Sequence, residues 1–232
     1  MRPRLTVALM AYNEIEGLEQ TVRELSQALR LQQVSFELLI IDDGSQDGTG
    51  QAADQLALEM EEARVVHHPV NYGLGEVYRT GFEQARGEWL TFFPADGQIP
   101  ADCLADFMAK FADHDLLLGF IPARRRTLLA KLLSLLERAI YRVLFGYFPP
   151  FQGIFMIREE ELRKHRLLSR GRSWVNLMEL VLRATRGKAR WATVPTSLRE
   201  RYGGQSKVRN LRTTMENLLQ VFWLRWMMWL QG

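Results

Sequence analysis

Short apolar runs alternate with amphipathic helical patterns through the first half of the chain. The apolar runs predict β-strands at residues 5–10, 36–41, 64–67, 88–93 and 116–121. Between them, apolar positions recur at helical spacing over residues 15–31, 49–62, 74–86 and 101–111. Strands that alternate with helices of about 10–15 residues imply right-handed crossovers and a mainly parallel sheet. The pattern therefore predicts an α/β fold.

The second half has longer amphipathic patterns and fewer strand signals. It predicts three helices and two short strands, at residues 127–145, 173–186, 211–230, 153–157 and 190–196. In the first of these helices leucines lie on one side and basic residues on the other, and Ser173 is a suitable N-cap for the second. The leucine stripe has two interpretations, packing against the sheet or attachment to a membrane surface.

The last helix is apolar on more than one side. One face consists of Leu211, Met215, Leu218, Leu219, Phe222 and Trp226. After Gln220 the opposite face becomes apolar as well, with Val221, Trp223, Leu224 and Met227. A helix that is apolar all round needs protein or lipid around it, and tryptophan favours the membrane interface. Three alternatives follow: contact with a membrane interface, a dimer contact, or packing within the chain.

Composition and charge narrow the class of protein. The 232 residues are 47% apolar and 25% charged, which is typical of a globular protein and excludes disorder and collagen. The single cysteine, Cys103, excludes an internal disulfide framework. The net charge of +3 is too small to indicate nucleic-acid binding. Most arginines follow Arg124, so we expect a basic surface in the second half.

Acidic residues follow three of the predicted strands. Glu14 comes after the first strand, Asp42 and Asp43 end the second, and Asp96 follows the fourth. Ligands of open parallel sheets bind beyond the carboxyl ends of the strands, and carboxylates suit ligand hydroxyls, base N–H groups and hard cations. The alternative is that these acids only shape turns and cap helices. The first strand-to-helix turn has no G-x-G-x-x-G, which disfavours a dinucleotide-binding domain.

Five segments occur in an order and at a spacing that resemble a known family. They are Ala11 to Glu14, Asp42 to Ser45 with Asp47 and Thr49, Asn71 to Gly75 with Gly81, Ala85 and Gly87, Ala95 to Gln98, and Arg201 to Lys207. On these residues the chain resembles the family 2 glycosyltransferases, and within them the polyprenyl-phosphate sugar transferases such as dolichyl-phosphate mannose synthases. The resemblance covers about residues 5–208 and implies a GT-A fold. That fold is a Rossmann-like, mostly parallel mixed sheet flanked by helices, here with C-terminal amphipathic helices.

The resemblance also implies site residues. Substrate contacts would come from Ala11, Tyr12, Glu14, Asp43, Ala95, Asp96, Arg124, Gln152, Arg201, Ser206 and Lys207. Asp96, Arg201 and Lys207 would carry catalysis, and Asp96 with Gln98 would hold Mg²⁺ or Mn²⁺ on the donor diphosphate. The family usually has an acid two residues before Asp96, but Pro94 stands there in this chain. One family metal ligand or sugar contact is therefore missing.

The implied activity is an inverting transfer of a sugar from a nucleotide-diphosphate donor to a polyprenyl phosphate. We expect a glycosyltransferase domain over residues 1–208 and an apolar, tryptophan-rich helix over residues 209–232. The expected location is cytoplasmic, at the cytoplasmic face of a membrane, with homo-oligomerisation left open. Two alternatives remain: a family 2 transferase acting on a saccharide or other hydroxyl acceptor, and an inactive nucleotide-sugar-binding or scaffold protein.

Overall fold

The computed structural model describes residues 2–122, 139–169, 172–202 and 220–228. The predicted substrate-binding residues Arg124, Ser206 and Lys207 lie outside these ranges, as do most of the predicted helix at residues 127–145 and the first part of the last helix.

The first half folds as the strand and helix alternation predicts. Its elements in chain order are β1 (Leu5–Ala11), α1 (Leu18–Leu31), β2 (Phe36–Asp42), α2 (Thr49–Glu59), β3 (Ala63–His67), α3 (Leu74–Gln84), β4 (Trp89–Pro94), α4 (Cys103–Met108) and β5 (Leu116–Phe120). Each predicted element is present. The helices are shorter than predicted because the residues at their ends form the loops that join them to the strands.

The second half adds two strands and four helical segments to the described chain. They are α5 (139–145), β6 (Phe155–Arg158), α6 (Glu159–Arg163), α7 (Val175–Arg186), β7 (Trp191–Pro195) and α8 (220–228). The short helix α6 was not predicted. Ser173 does not cap α7, because its hydroxyl donates instead to Gln220 Oε1 at 2.6 Å, and the N-cap position is Trp174.

The seven strands form one mixed sheet in the order β3-β2-β1-β4-β6-β5-β7. Strands β1 to β4 pair in parallel, and β5 pairs in parallel with β7. Strand β6 runs antiparallel to both of its neighbours, β4 and β5. Because one reversed strand separates two parallel groups, β1 to β5 and β7 all end at the same edge of the sheet.

Apolar side chains cover both faces of the sheet. Along β1 and β2, Leu9 and Leu38 face the helices α1, α2 and α4, whereas Ala8 and Leu39 face α3 and α7. Strands buried on both faces read as continuous apolar runs, which explains why their sequences show no polar alternation. The sheet is therefore a rigid base for the loops that leave its edge.

Helices α5, α7 and α8 pack together as a third apolar cluster, in addition to the two on the faces of the sheet. Val221 and Leu224 of α8 are buried against Tyr141, Phe145 and residues of α7. On the first of the two predicted apolar faces, Phe222 and Trp226 are 52% and 59% exposed. Val221 and Leu224 of the opposite face make the intramolecular contact, whereas Trp223 of that face is 52% exposed. None of the helices in the described part of the chain is both long and apolar enough to cross a membrane.

Candidate active site at the carboxyl edge of the sheet

The strand pairing brings the three predicted acidic segments to one edge. The Asp43 N–H donates to Ala11 O at 2.9 Å, and the Ala95 N–H donates to Met10 O at 3.1 Å. The ends of β2 and β4 therefore lie on either side of the end of β1. Ala11 and Ala95, both predicted substrate contacts, are 2% and 0% exposed. These two alanines form part of the floor of the site.

Side chains of the second motif hold the loop after β1. Asn13 adopts a positive φ of 50°, its N–H donates to Ser45 Oγ at 2.9 Å, and its side-chain oxygen accepts from Gln46 N–H at 2.8 Å. The Glu14 N–H donates to Thr49 Oγ1 at 2.9 Å. Asparagine tolerates the left-handed region better than most residues. These bonds fix the backbone that presents Glu14.

Asp43 organises the loop between β3 and α3. Its Oδ1 accepts from the Tyr72 N–H at 3.0 Å and contacts His68 Nδ1 at 2.7 Å. Its Oδ2 accepts from the Gly73 N–H at 2.8 Å and from the Asn71 amide at 3.0 Å. A carboxylate offers about four lone-pair sites, so these partners occupy its capacity. In this arrangement Asp43 positions the loop. To contact a nucleotide base, its carboxylate would have to give up one of these four partners.

A cavity of about 300 Å³ opens between the loops after β1, β2 and β3. It is lined in part by Tyr12, Ser45, Gln46, His68, Val70 and Asn71. Its volume lies at the lower end of the range for small-molecule sites, and aromatic, apolar and amide groups converge on it. Among the predicted site residues, the half-buried Tyr12 lies in the wall of this cavity.

Two histidines, His67 and His68, belong to this region, although no sequence motif assigns them to a site. The Asp42 and His67 positions are register partners on β2 and β3, and Asp42 Oδ2 lies 3.0 Å from His67 Nδ1. His67 Nε2 lies 3.0 Å from Asp54, and the hydrogen bonds to Asp42 and Asp54 raise the pKa of His67 above its usual value. The order of the strands in the sheet is the information that places His67 beside Asp42 and His68 beside Asp43.

Asp96 and Glu14 meet through Arg201. Arg201 Nε and Nη2 donate to Asp96 Oδ2 at 2.9 and 2.6 Å, and Nη2 lies 3.4 Å from Glu14 Oε1. Asp96 is 4% exposed, and the Arg201 side chain is 19% exposed. Charge-assisted hydrogen bonds at this degree of burial are stronger than surface ion pairs. Three predicted site residues therefore form one connected group.

The oxygen donors near Asp96 suit a divalent cation only in part. The other Asp96 oxygen, Oδ1, accepts the Gln98 N–H at 2.9 Å. Among residues 2–122, 139–169, 172–202 and 220–228, no three His, Cys, Asp or Glu side chains lie together so that they could hold a metal ion. Asp96 and Gln98 supply one carboxylate and one amide. Mg²⁺ accepts such a limited set, since it usually keeps waters and takes phosphate oxygens as ligands.

Gln152, predicted as a substrate contact, lies apart from this group in the sheet order. Its N–H donates to Gly119 O at 2.8 Å, just before the end of β5, and the residue is exposed. It belongs to the same edge because β5 ends there. Its side chain is thus placed on the side of the site that faces β7 rather than β2.

Replacing Asp43 with asparagine should destabilise the protein by about 2–3 kcal/mol, because an amide NH₂ would then face N–H donors in a buried place. Chemical denaturation measures this free energy of unfolding. Asp113→Asn is the matched control, since Asp113 is exposed and the same substitution there should stay within about 0.5 kcal/mol. Equal stability of the two variants would contradict the positioning role of Asp43.

Comparison with known proteins agrees with this geometry. A family model described as glycosyl transferase family 2 matches residues 6–162. Polyprenol monophosphomannose synthase of Mycolicibacterium smegmatis is 31% identical over 229 residues, which are 91% of this chain and 84% of that protein. Dolichol-phosphate mannosyltransferase of Pyrococcus furiosus is 25% identical over 236 residues, covering 97% of this chain and 64% of that protein.

Other similarities cover less of the sequence or concern the fold alone. Glycosyltransferase AglD of Haloferax volcanii is 37% identical over 94 residues, and these are 40% of this chain but only 15% of that protein. A crystal structure of glucosyl-3-phosphoglycerate synthase from Mycobacterium tuberculosis, in complex with Mn²⁺, uridine diphosphate and glucosyl-3-phosphoglycerate, gives a TM-score of 0.69 at 19% identity. The similar region covers 95% of this chain and 80% of the synthase chain, and the similarity supports the GT-A fold. From its match to the family model and to the mycobacterial synthase, we conclude that the chain belongs to glycosyl transferase family 2.

Proposed function

We propose that this protein transfers one sugar from a nucleotide-diphosphate sugar to a polyprenyl phosphate. The observation that carries the proposal is the group formed by Glu14, Asp96 and Arg201, at the same carboxyl edge of the sheet as the cavity. Relatives named as polyprenol and dolichol phosphate mannosyltransferases supply the acceptor class. Both the donor and the acceptor carry phosphate, which suits a site with an arginine at its centre.

The donor would lie along the sheet edge from β3 towards β4. Its base and ribose would occupy the cavity beside Tyr12, with Asn71 and Glu14 as polar contacts. The diphosphate would then reach Asp96 and Arg201, because β1 lies between β2 and β4 in the sheet. Arginine binds phosphate oxygens through several N–H groups in a fixed plane, so Arg201 would both hold and orient the diphosphate.

A divalent cation fits this proposal, with Asp96 and Gln98 as the protein ligands. When bound, Mg²⁺ or Mn²⁺ would supply positive charge to the diphosphate oxygens. For Asp96 to accept it, Arg201 must give up at least part of its hydrogen bonding to Asp96 Oδ2, since two N–H groups of Arg201 already point there. Those N–H groups of Arg201 would then donate to the donor phosphate.

The transfer itself would be a single displacement. An oxygen of the acceptor phosphate attacks the anomeric carbon, the bond from that carbon to the diphosphate oxygen breaks, and the nucleoside diphosphate leaves with the bonding electrons. A phosphate monoester has a second pKa near about 6, so it is largely dianionic at neutral pH and needs no general base. The protein's part is to align the two substrates and stabilise the charge of the departing diphosphate. Arg201 would do this together with Lys207, while Arg124, Gln152 and Ser206 would contact phosphate oxygens.

A donor and acceptor screen tests this function. Purified protein is mixed with Mn²⁺ or Mg²⁺, a panel of nucleotide sugars and a short polyprenyl phosphate, and formation of lipid-linked sugar is measured. We expect turnover with one donor and no turnover with saccharide acceptors. Turnover only with saccharides would contradict the acceptor class, and donor binding with no transfer to any acceptor would indicate a binding protein. The anomeric configuration of the product tests inversion.

Attachment to a membrane surface is part of the same proposal. Trp223 and Trp226 of α8 are 52% and 59% exposed, and Val143 of the neighbouring α5 is 84% exposed. The half-buried Arg225 lies between the two tryptophans in sequence. Exposed tryptophans together with arginine suit the interface of an anionic membrane, where a polyprenyl phosphate resides. This face would bring the site to its lipid acceptor at the cytoplasmic surface.

Replacing both Trp223 and Trp226 with glutamine should weaken binding to anionic vesicles by about tenfold or more, because interfacial binding scales with buried apolar area. Vesicle sedimentation measures the binding. Leu58→Gln is the control, since Leu58 is 83% exposed on α2 and the substitution there should leave binding unchanged. A loss of dimerisation instead of a loss of vesicle binding would point to a protein interface.

A further inference from the structure

Residues 199–202 cross the turn that carries Asp96, and we name this segment the strap. The Arg199 N–H donates to Gln98 O at 2.9 Å, and the Tyr202 N–H donates to Asp96 O at 3.1 Å. The Arg199 side chain adds a bond from Nε to Gly97 O at 2.6 Å. The strap is therefore fastened to the turn through the main chain at both of its ends.

Tyr202 also packs against the turn. Gly97 has a positive φ of 72°, and a Cβ added there would overlap the Tyr202 ring. The Arg199 guanidinium lies 4.5 Å from the centre of the same ring, a cation–π contact. Glycine is thus needed at residue 97 for two reasons, its backbone conformation and the close approach of the ring.

Both ends of the strap converge on one carboxylate, that of Glu24 in α1. Glu24 Oε2 accepts from Arg199 Nη2 and from the Tyr202 hydroxyl, while Oε1 accepts from the Ala101 N–H at 3.1 Å. Burial alone would raise the pKa of Glu24, but the hydrogen bonds from Arg199, Tyr202 and Ala101 outweigh it and lower that pKa. Glu24 is therefore ionised at neutral pH and holds two residues that flank Arg201.

Resting on the proposed function, we propose that Glu24 is a positioning residue of the transferase. Through Arg199 and Tyr202 it fixes the strap, and the strap sets the Arg201 guanidinium against Asp96. Glu24 itself touches neither Arg201 nor Asp96 in these hydrogen bonds. Its effect on catalysis is the orientation of Arg201 at the moment when charge develops on the leaving diphosphate.

The first experiment needs no substrate. Hydrogen exchange of the peptide that contains residues 199–202 is compared in the wild-type protein and in Glu24→Gln. The amide keeps an oxygen for Ala101 but turns an NH₂ group towards Arg199 and Tyr202, so the strap amides should exchange about tenfold faster. Glu19→Gln on the same helix is the control, because the Glu19 side chain is 64% exposed and forms an ion pair with the exposed Arg23 of the same helix.

The second experiment separates positioning from mere stability. With the donor found in the screen, Glu24→Gln should lower kcat by about tenfold and leave the KM for the donor within about threefold. Tyr202→Phe keeps the ring on Gly97 and removes only the hydroxyl, so it should shift exchange and kcat in the same direction by a smaller factor. If Glu24→Gln fails to fold, Tyr202→Phe still tests the proposal by the same two measurements.

The outcomes distinguish this inference from the proposed function. Strap exchange that is equal in Glu24→Gln, Tyr202→Phe and Glu19→Gln overturns the inference, whichever substrate is used. Faster exchange with unchanged kcat also overturns it, because the strap would then not set the catalytic geometry. A wild-type protein that transfers no sugar contradicts the proposed function instead, and the exchange measurement still decides whether Glu24 holds the strap.

Discussion

Replacing Asp96 with asparagine should lower kcat for sugar transfer by at least about 1,000-fold. Asp96 is 4% exposed, and its Oδ2 accepts two N–H groups from Arg201. The substitution removes the negative charge that pairs with Arg201 and the carboxylate that we propose as a cation ligand. Initial rates at saturating donor and acceptor measure the effect, and Mn²⁺ binding to the unliganded protein gives a readout that does not depend on turnover.

Asp106→Asn is the matched control for this experiment. Asp106 is exposed on α4, a few residues beyond the same turn, and its replacement should leave kcat within about twofold. Circular dichroism establishes that both variants are folded, because losing the charged bond from Arg201 to Asp96 is expected to cost about 1–3 kcal/mol of stability. If Asp96→Asn turned over at the wild-type rate, the site would have to lie elsewhere on the sheet.

Replacing Arg201 with lysine should lower kcat by about 100-fold although the charge is kept. Arg201 directs two N–H groups at one Asp96 oxygen and a further contact at Glu14, and an ammonium group on a flexible stem does not reproduce that plane. Steady-state kinetics at saturating donor measure the change in kcat. The loss should appear mainly in kcat, because the proposed role concerns the departing diphosphate.

Arg190→Lys supplies the comparison for Arg201→Lys. Arg190 also binds an aspartate with two N–H groups, at 3.1 and 2.9 Å from Asp115, but it lies at the opposite edge of the sheet and is exposed. The same substitution there should leave kcat unchanged. A fully active Arg201→Lys variant would show that charge alone is sufficient at this position.

The fold was accessible from the sequence because burial on both faces gives each strand a short, continuous apolar run. The ends of those runs also predicted that Glu14, Asp43 and Asp96 share one edge, which the strand pairing confirms. The bounds of the helices were less accurate. Loop residues such as those at 15–17 carry the same apolar spacing as the helix that follows them, so periodicity alone does not locate the first helical turn.

The partners of the acids could not be predicted, because they depend on contacts between distant parts of the chain. His67 meets Asp42 only once β3 is known to pair with β2. Glu24 meets Arg199 and Tyr202 across separations of 175 and 178 residues. The buried face of α8 could not be predicted for a related reason, since both faces are apolar and contacts with α5 and α7 decide which residues are buried.

The reversed strand β6 has a practical consequence for work on this enzyme. Because the other six strands all end at one edge, both residues 121–122 after β5 and the strap after β7 leave the sheet at that edge. The turns that enter these strands, near residues 32–35, 112–115 and 187–190, gather on the far side of the molecule. Fluorophores or surface tethers attached to those turns would therefore leave the edge that carries the candidate active site unobstructed.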